Sequence, residues 1–352
     1  MDMKKFTEVF NTIVDNVNTV IHGKDDVVRL AMVAVIAGGH VLFEDVPGVG
    51  KSMLARALGQ SMEADVGRVQ CTPDMLPGDI TGSSIIDTKT MNFVFRPGPV
   101  FANILLVDEI NRATPKTQSA LLEAMAERTV SVDGTTHKLP DPFLVLATQN
   151  PVELAGTFPL PEAQLDRFMF KLNMGYPDLE AERLVIRGNA KRLEVENLHA
   201  VVSTEDIRAM TDMASDVWIC ESVETYLLEI THATRSDPAC TLGAGPRASI
   251  AITKAAKVMA ASDGRDTVYP EDVKSILRPT LAHRLMLTPD ATLRGATVDD
   301  VLDRAMSRVK APLGVETNPM PSPVSHLDES PAPVDARRGR VVRRSRTAAT
   351  VG

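Results

Sequence analysis

The chain has 352 residues, of which 44% are hydrophobic and 24% are charged, and its formal net charge at pH 7 is −8. This length predicts two folded domains and a tail rather than one small core. The acidic balance argues against nonspecific nucleic-acid binding by the body of the protein, because phosphate neutralisation requires clustered lysine and arginine.

The sequence shows no sign of export or of membrane insertion. Residues 1–20 place apolar side chains at helical spacing and predict an amphipathic helix, not a signal peptide. The most apolar stretch, Val27 to Ala37, contains Arg29 and is far shorter than the ~20 residues that span a bilayer. Its three cysteines are far apart, as is typical of a reducing compartment. We therefore expect a cytoplasmic protein with no transmembrane segment.

The amino-terminal half of the chain has the pattern of a parallel sheet. In residues 1–174, short apolar runs alternate with helical patterns, and His40–Phe43, Ile104–Val107 and Phe143–Ala147 are predicted strands. Strands that alternate with helices imply an α/β fold whose parallel sheet is covered on both faces.

The rest of the chain divides into a helical part and a tail. Residues 175–311 predict a smaller all-α domain, in which Pro246–Ala261 and Val298–Val309 are the clearest helices, the second with an N-cap at Thr297. Residues 312–352 are rich in proline and arginine and lack aromatic side chains, so we expect them to be disordered. Their basic end could contact nucleic acid, anionic lipid or an acidic partner, or be a solvated extension.

A Walker A loop follows the first predicted strand and precedes a helix, which is the context that this motif requires. Glycines let the backbone N–H groups approach phosphates closely, and the positive end of the next helix favours an anion. Lys51 can reach the β- and γ-phosphates of ATP, and Ser52 can hold Mg²⁺. The loop and helix residues expected to bind ATP are Asp45, Val46, Pro47, Gly48, Val49, Gly50, Lys51, Ser52 and Met53.

One position departs from this motif. Asp45 stands where the first glycine is usual. We expect the loop to form nonetheless, because aspartate adopts left-handed and turn conformations more readily than most residues. Short matches of this kind also arise in glycine-rich turns. The strand before the motif and the helix after it are therefore needed to support its assignment as a Walker A loop.

The predicted strand Ile104–Val107 ends in two carboxylates, Asp108 and Glu109. A buried strand has little reason to end in paired acids unless its tip faces water or a cation. Walker B chemistry supplies that reason, with Asp108 holding Mg²⁺ through its water shell and Glu109 polarising the attacking water. The alternative is an acidic turn after a core strand, which the preceding Walker A loop disfavours.

Two β-hairpins are predicted beside this core. One combines Ser83–Asp87 with Asn92–Arg96, between the two Walker motifs, and the other combines Thr129–Val132 with Thr136–Leu139. A minimal P-loop domain would have one helix and one strand in place of the first hairpin. Both hairpins could contact a substrate, or they could only pack over the sheet.

Five strings occur in an order that resembles the MoxR family of AAA+ ATPases, and they are EDVPGVGKS, LLVDEINRA, LLEAMAER, ATQNP and FPLPEAQLDRFMF. The resemblance covers most of residues 1–310 and implies a P-loop AAA+ core followed by a helical lid. The first hairpin resembles the helix-2 insert of this clade. In the family such elements line the pore-side face of a ring and move with the nucleotide state.

The resemblance also implies roles for single residues. Asn150 matches sensor 1, which orients the attacking water, and Arg167 matches the arginine finger, which reaches the γ-phosphate of ATP in the adjacent subunit. Arg247 matches sensor 2 in the lid, and Ile21 and Gly23 match the linker on the adenine side.

Simpler roles remain open for the arginines. Arg167 could form an ion pair with Asp166 or Glu162, although neighbours in sequence do not face one another on a helix. Arg247 could be an ordinary arginine at a helix start. Arg128, after another predicted helix, could also face a neighbouring subunit.

The function implied by the resemblance is ATP hydrolysis with Mg²⁺ by a ring homo-oligomer, expected to be a hexamer. The ring would remodel or activate partner proteins, or insert metal or cofactor into them, among them proteins with von Willebrand factor A domains. A magnesium-chelatase-like motor subunit shares these motifs, and a nonhydrolysing nucleotide-dependent scaffold is a further alternative. A DNA helicase or transcription regulator would need a DNA-binding domain or a basic body, which the sequence lacks.

Overall fold

A computed structural model describes residues 1–45, 48–89, 91–150, 156–190, 198–314 and 316, with backbone only for residues 188–190. Its strands are β1 (Val41–Glu44), β2 (Val66–Gln70), β3 (Gly82–Ile86), β4 (Phe93–Pro97), β5 (Ile104–Asp108), β6 (Thr129–Val132), β7 (Thr135–Lys138), β8 (Leu144–Gln149), β9 (Phe170–Leu172), β10 (Cys240–Leu242) and β11 (Met286–Leu287). Its α-helices are α1 (Met3–Asn18), α2 (Asp25–Ile36), α3 (Lys51–Ser61), α4 (Pro77–Thr81), α5 (Pro115–Glu127), α6 (Glu162–Leu165), α7 (Leu179–Ala190), α8 (Thr204–Ser215), α9 (Glu221–Arg235), α10 (Pro246–Ser262), α11 (Pro270–Leu281), α12 (Pro289–Leu293) and α13 (Val298–Arg308).

Five strands form one sheet in the order β2, β5, β8, β1, β9, and every neighbouring pair is parallel. All of β5 and all but the last residue of β8 are buried, as expected for strands covered on both faces. The three predicted strands are β8, β5 and β1, so the α/β prediction is confirmed. The sequence does not predict the outer strands, because β2 is mostly exposed and β9 is only three residues long. Since the strands are parallel, the carboxyl ends of β1, β5 and β8 meet at one edge of the sheet.

Beyond β9 the chain is mainly helical, which confirms the predicted lid. α10 and α13 match the predicted helices to within one residue, and α13 starts as predicted, with Thr297 Oγ1 accepting from the Asp300 N–H at 3.2 Å. The lid also contains a short antiparallel pair of strands, β10 with β11, which the helical periodicity of its sequence does not predict. Residues 1–318 form one compact unit, and the domain boundary near residue 174 stays a prediction.

The amino-terminal helix joins the two parts of this unit. The Asp2 carboxylate caps α1 by accepting from the Lys5 N–H at 2.7 Å. The predicted apolar stripe is buried at Phe6, Phe10, Ile13, Val14 and Val17. It packs against α2 and α3 of the sheet part and against α10 of the lid, so α1 shares one core with both.

The two predicted hairpins form and contact each other. β3 pairs with β4 and β6 with β7, both antiparallel. The Phe95 ring on β4 stacks on the His137 ring of β7 at 4.0 Å, and the Phe101 ring meets Phe95 edge-on at 5.6 Å. This aromatic contact joins the hairpins, while Phe93 and Met91 near the tip of the first hairpin are about three-quarters exposed.

His40 ties the amino end of β1 to two neighbouring elements. The backbone N–H of Val145 donates to Nδ1 at 3.0 Å, so Nε2 carries the proton and donates to the Met125 carbonyl at 3.2 Å. The ring is 4% exposed, and burial lowers the pKa of His40 to about 4. The neutral ring therefore belongs to the folded state.

We expect stability to fall on acidification because of this histidine. A lowered folded-state pKa gives stability that is complete above the unfolded pKa of about 6.5 and is lost as the pH falls towards 4, on the order of 3 kcal/mol. Thermal unfolding between pH 7 and pH 4 measures it. His40→Gln should flatten the pH dependence, whereas His199→Gln, on the exposed surface, should leave it unchanged. Equal slopes for all three proteins would contradict the expectation.

Among the residues described, no helix has both the length and the apolar character needed to cross a membrane. The tail predicted to be disordered, residues 312–352, lies outside the described residues apart from 312–314 and 316.

Candidate active site

A cavity of about 390 Å³ opens at the edge of the sheet where β1, β5 and β8 end. It brings together the two Walker motifs and the end of β8, although these segments are far apart in sequence. Its lining residues are Asp45, Gly48, Gly50, Lys51, Ser52, Met53, Arg68, Gln70, Asp108, Glu109, Thr148, Gln149 and Asn150.

The glycines of the Walker A loop have the backbone that the motif requires. Gly48 has a φ of 83° and Gly50, which caps α3, a φ of 97°, in a region that favours glycine. α3 then begins at Lys51, so its first N–H groups face the cavity. A helix start of this kind favours a phosphate. Val46 and Pro47, also predicted to bind ATP, lie outside the described residues.

Lys51 lies among acidic groups. Its ammonium donates to the Asp45 carbonyl at 3.4 Å. Burial lowers the pKa of Lys51, and the charges of Asp45, Asp108 and Glu109 oppose that shift. The three carboxylates near this ammonium would repel an anion on its own, but a triphosphate bound with its metal would balance both signs of charge.

Asp45 fits the loop for a different reason from the one expected. Its backbone is not among the described left-handed residues. Instead its carboxylate is buried and accepts from the N–H groups of Met174 and Gly175, the latter at 3.2 Å, in the segment between β9 and α7. A glycine could not make these bonds. Asp45 therefore fastens the loop to the segment that leads into the lid.

Removing this carboxylate should loosen the Walker A loop. We expect Asp45→Ala to lower the free energy of unfolding by about 1–3 kcal/mol, because the buried Met174 N–H and the half-buried Gly175 N–H lose a charged acceptor. We also expect weaker binding of ADP. Urea unfolding and calorimetry measure both, and Asp45→Asn, which keeps one acceptor oxygen, should lose less. Equal losses for the alanine and asparagine variants would contradict the role given to the carboxylate.

Asp108 ends β5 with a buried carboxylate that already has a cationic partner. Arg68, on the neighbouring strand β2, places Nε and Nη2 each 2.9 Å from Asp108 Oδ2. Asp108 is 7% exposed, so its charge is compensated where it faces the cavity. Its carboxylate and the Ser52 hydroxyl across the cavity are oxygen ligands, the kind that Mg²⁺ prefers.

Glu109 is held by two contacts beside Asp108. Its backbone is left-handed, with a φ of 55°, and its N–H donates to the Thr148 hydroxyl of β8 at 3.0 Å. Arg112 Nη1 donates to its carboxylate at 3.0 Å. A non-glycine residue in this conformation is strained, and the Thr148 bond compensates part of that cost. The side chain is thereby directed along the cavity wall.

The end of β8 and the residue after it contribute amide side chains to the cavity. Asn150 lines the cavity beside Thr148, as predicted for a residue that follows β8. Gln149 also lines it, and its Nε2 donates to Glu44 Oε1 at 2.7 Å, which links the ends of β8 and β1. Glu44 in turn pairs with Lys171 on β9.

Four further residues that are predicted to bind ATP do not all lie at the cavity, and they are Met53, Val49, Ile21 and Gly23. Met53 lines the cavity and is 43% exposed, whereas Val49 packs against the core. Ile21 is buried and Gly23 lies against the start of α7, where an added Cβ would be 2.9 Å from Ala181 Cβ. Ile21 and Gly23 do not line the described cavity, and their adenine role stays a prediction.

Arg167 and Arg247 lie elsewhere, in a second cavity of about 740 Å³. In the part of the chain that the structure describes, no residue lines both cavities. Arg167 precedes β9, and the Met169 N–H donates at 2.8 Å to the His40 carbonyl at the start of β1. Since the Walker A loop follows the other end of this four-residue strand, the two sites are separated by roughly 13 Å of strand.

The arginines of the second cavity are held by different partners. Arg167 Nη1 donates to the Leu122 carbonyl at 2.6 Å, while Asp166 forms its ion pairs with Arg284 at 2.8 Å and Arg247 at 3.8 Å. The alternative in which Asp166 holds Arg167 is therefore wrong. Arg247 is 60% exposed at the start of α10. Arg128 lines the same cavity and donates to the Gly38 carbonyl at 2.7 Å.

Among the residues of the first cavity and its surroundings that the sequence does not predict are Arg68, Gln70, Thr148 and Arg112. Arg68 and Gln70 lie on the same face of β2, and an alternating pattern before the TPD turn was the only signal. Thr148 and Arg112 hold Glu109, and both stand within strings whose neighbours were assigned roles. All four are polar positions next to recognised motifs.

Two family models match separate parts of the chain. The model of the ATPase family associated with various cellular activities (AAA) matches residues 40–170, which include both Walker motifs and Arg167. The AAA lid domain model matches residues 232–305, which include Arg247.

Whole-chain comparisons give relatives over most of its length. It is 50% identical to the Bacillus subtilis protein YeaC over 85% of this chain and 94% of that protein. It is 41% identical to the Mycobacterium tuberculosis protein named Chaperone MoxR1, over 84% and 80%, and 32% identical to Protein MoxR of Methylorubrum extorquens, over 82% and 91%. A crystal structure of a candidate ATPase from Cytophaga hutchinsonii superposes with a TM-score of 0.83 at 37% identity, covering 88% of this chain and 97% of that one.

Proposed function

The chain belongs to the MoxR-type AAA+ ATPases, and we propose that it binds and hydrolyses ATP with Mg²⁺ in the cavity at the carboxyl edge of its sheet. The observation that carries the proposal is the meeting of Lys51, Ser52, Asp108, Glu109 and Asn150 in one cavity. These are the groups that phosphoryl transfer to water requires, namely phosphate ligands, metal ligands and a water-positioning carboxylate.

Each group has one task in this proposal. The N–H groups at the start of α3 and the Lys51 ammonium bind the β- and γ-phosphates. Ser52 and Asp108 would hold Mg²⁺, which when bound would neutralise charge on the phosphate oxygens. Glu109 accepts a proton from the attacking water, and Asn150 orients that water by a hydrogen bond. Catalysis then depends mainly on positioning and charge, because the protein forms no covalent bond to the substrate.

The second cavity supports a shared site between copies of the chain. Arg167 and Arg247 line a cavity at the opposite edge of the sheet from the Walker A loop, which supports action on the triphosphate of another copy rather than on their own. In a head-to-tail ring, this cationic edge would face the open Walker cavity of the next copy. We propose a ring, with six subunits expected, in which Arg167 and Arg247 act on the neighbour's γ-phosphate.

The work done by the ring is proposed to be remodelling or activation of partner proteins, or insertion of metal or cofactor into them. One relative carries the printed name Chaperone MoxR1, which supports a chaperone-like role. The first hairpin, with exposed Phe93 and Met91 and its aromatic link to the second hairpin, is a surface that could press on a client. Clients with von Willebrand factor A domains and a cytoplasmic location remain parts of the proposal, the latter supported by three free cysteines.

Two other functions would use the same motifs. A magnesium-chelatase-like motor subunit would differ in its client alone. A nonhydrolysing scaffold would bind ATP without turnover, and the complete set of Glu109, Asn150 and Arg167 speaks against it.

Lys51→Ala tests the nucleotide site. We expect the affinity for ATP with Mg²⁺ to fall about 10- to 100-fold, because a charged hydrogen bond to phosphate is lost. Isothermal calorimetry measures the affinity and phosphate release measures the turnover. Lys116→Ala, on the exposed face of α5, is the matched control and should bind as the wild type does. Unchanged ATP affinity in Lys51→Ala would refute the assignment of the loop.

A further inference from the structure

Arg284 makes five hydrogen bonds, four to residues 166–169 of the sheet part and one to the preceding helix α11. Its Nε donates to Asp166 Oδ1 at 2.8 Å. Its Nη2 donates to the carbonyls of Phe168 at 2.6 Å and Asp166 at 3.2 Å, and its Nη1 donates to the Met169 carbonyl at 3.1 Å and to that of Thr280. A guanidinium has five N–H donors, so all of them are used.

The guanidinium is nearly closed off from solvent, since the side chain of Arg284 is 3% exposed. A buried charge persists only where it is paired and fully hydrogen-bonded, and the Asp166 carboxylate supplies the pair. The neighbouring His283 adds a bond from Nε2 to the Phe168 carbonyl at 3.0 Å. Two lid residues thus fix the backbone of residues 166–169.

That backbone segment carries Arg167. It runs as a turn between the end of α6 and the start of β9, with the N–H groups of Arg167 and Phe168 donating to carbonyls of α6 at 3.2 and 3.0 Å, and Arg284 adds contacts from the lid. Four of the five Arg284 bonds go to Asp166, Phe168 and Met169, the residues on either side of Arg167. Asp166 also reaches Arg247 at 3.8 Å, so its carboxylate links Arg247 to Arg284, while its backbone adjoins that of Arg167.

We propose that Arg284, with Asp166, is a positioning residue that holds Arg167 and Arg247 in the geometry needed at the neighbouring subunit's γ-phosphate. Arg284 follows α11 in the lid, so the direction of Arg167 depends on how the lid meets the sheet. This inference rests on the shared site proposed above. It assigns to the lid a role in the site of the next subunit, apart from any contact with its own nucleotide.

Mixed rings test the proposal. At an ATP concentration well below its raised dissociation constant, a Lys51→Ala subunit stays largely empty but offers Arg167, and an Arg167→Ala subunit binds ATP but offers no finger. Mixing the two should restore ATP hydrolysis at the interfaces where Lys51→Ala supplies the finger. Arg284→Lys is then added to one partner at a time. Lysine keeps the charge but cannot form the planar fork of bonds.

With Arg284→Lys in the finger-supplying subunit, we expect the restored activity to fall about 10- to 100-fold, since a misplacement of about 1 Å costs as much. With the same change in the ATP-binding subunit, the restored activity should stay near that of the parent mixture. Asp166→Asn should show the same asymmetry. Arg278→Lys, on α11 but paired with Asp299 and Asp303 within the lid, is the matched control for both arms.

Equal losses in the two arms would assign Arg284 a purely structural role and overturn the proposal. Full activity with Arg284→Lys in the finger-supplying subunit would overturn it as well. If the parent mixture itself fails to recover activity, the shared site is wrong and this inference falls with it. Thermal unfolding of every variant identifies any general loss of folding, which would appear in both arms alike.

Discussion

Arg167→Ala is expected to lower kcat for ATP hydrolysis by about 10³-fold or more, while the affinity for ATP stays close to that of the wild type. The arginine lies at the opposite edge of the sheet from the Walker A loop, so its removal leaves the subunit's own phosphate ligands in place. Its charge is required only as negative charge develops on the γ-phosphate of the neighbour's ATP. Steady-state phosphate release and ATP calorimetry measure the two quantities separately.

Arg294→Ala is the matched control for this prediction. Arg294 is 77% exposed in the lid and pairs with Asp290 one helical turn away, so its removal should change neither turnover nor affinity. A normal kcat for Arg167→Ala would remove the finger role. A loss of ATP affinity as large as the loss of kcat would place the arginine in its own subunit's binding site and contradict the shared site.

Glu109→Gln is expected to lower kcat by about 10²–10⁴-fold with ATP still bound, because glutamine cannot take a proton from water. Glutamine has the shape of glutamate and keeps an oxygen for the 3.0 Å bond from Arg112, and the backbone bond to Thr148 does not involve the side chain. The cavity should therefore keep its form. Single-turnover phosphate release measures the chemical step, and binding of ATP with Mg²⁺ measures the site.

Glu123→Gln, on the exposed face of α5, is the control and should be fully active. Phosphate release by Glu109→Gln at the wild-type rate would contradict the role of this carboxylate. The same variant holds the ATP-bound state and is the natural bait for a client. Retention of a protein favours the chaperone-like function, and retention of a polynucleotide would favour a nucleic-acid motor instead.

The residues that the sequence predicted correctly as neighbours are those whose signals are local. Lys51 follows β1 after the Walker A loop, Asp108 ends β5 and Asn150 follows β8, and parallel strands bring their carboxyl ends together whatever the rest of the chain does. A short motif and the strand that precedes it are therefore enough to predict that these residues lie close together. The helical lid was predictable for the same reason, since periodicity and caps are local properties.

What the sequence could not predict are contacts between distant segments. Asp45 reaches Met174 across 129 positions, Arg68 reaches Asp108 across 40, and Arg284 reaches Asp166 across 118. In each case a charged side chain is held by a partner that only the folded chain brings near. The conformational tolerance of aspartate predicts that the loop can form, but only the folded chain shows that the buried Asp45 carboxylate fastens it.

The placement of Arg167 was also a matter of tertiary structure. Its string in the sequence resembled the family's finger, yet only the sheet order puts it at the start of β9, beside β1 but at the edge away from the Walker A loop. The position of Arg167 therefore adds a structural argument to its resemblance to the family's arginine finger. If Arg167 acts on a triphosphate, that triphosphate belongs to another copy of the chain.

A cryo-electron microscopy structure of Glu109→Gln with ATP and Mg²⁺ measures this requirement most directly. We expect a triphosphate between the start of α3 and the carboxylate of Asp108, with the Arg167 guanidinium of the adjacent copy about 3 Å from a γ-phosphate oxygen. Phosphates bound away from Lys51 and Asp108, or an ordered ring in which every Arg167 lies far from any nucleotide, would contradict it.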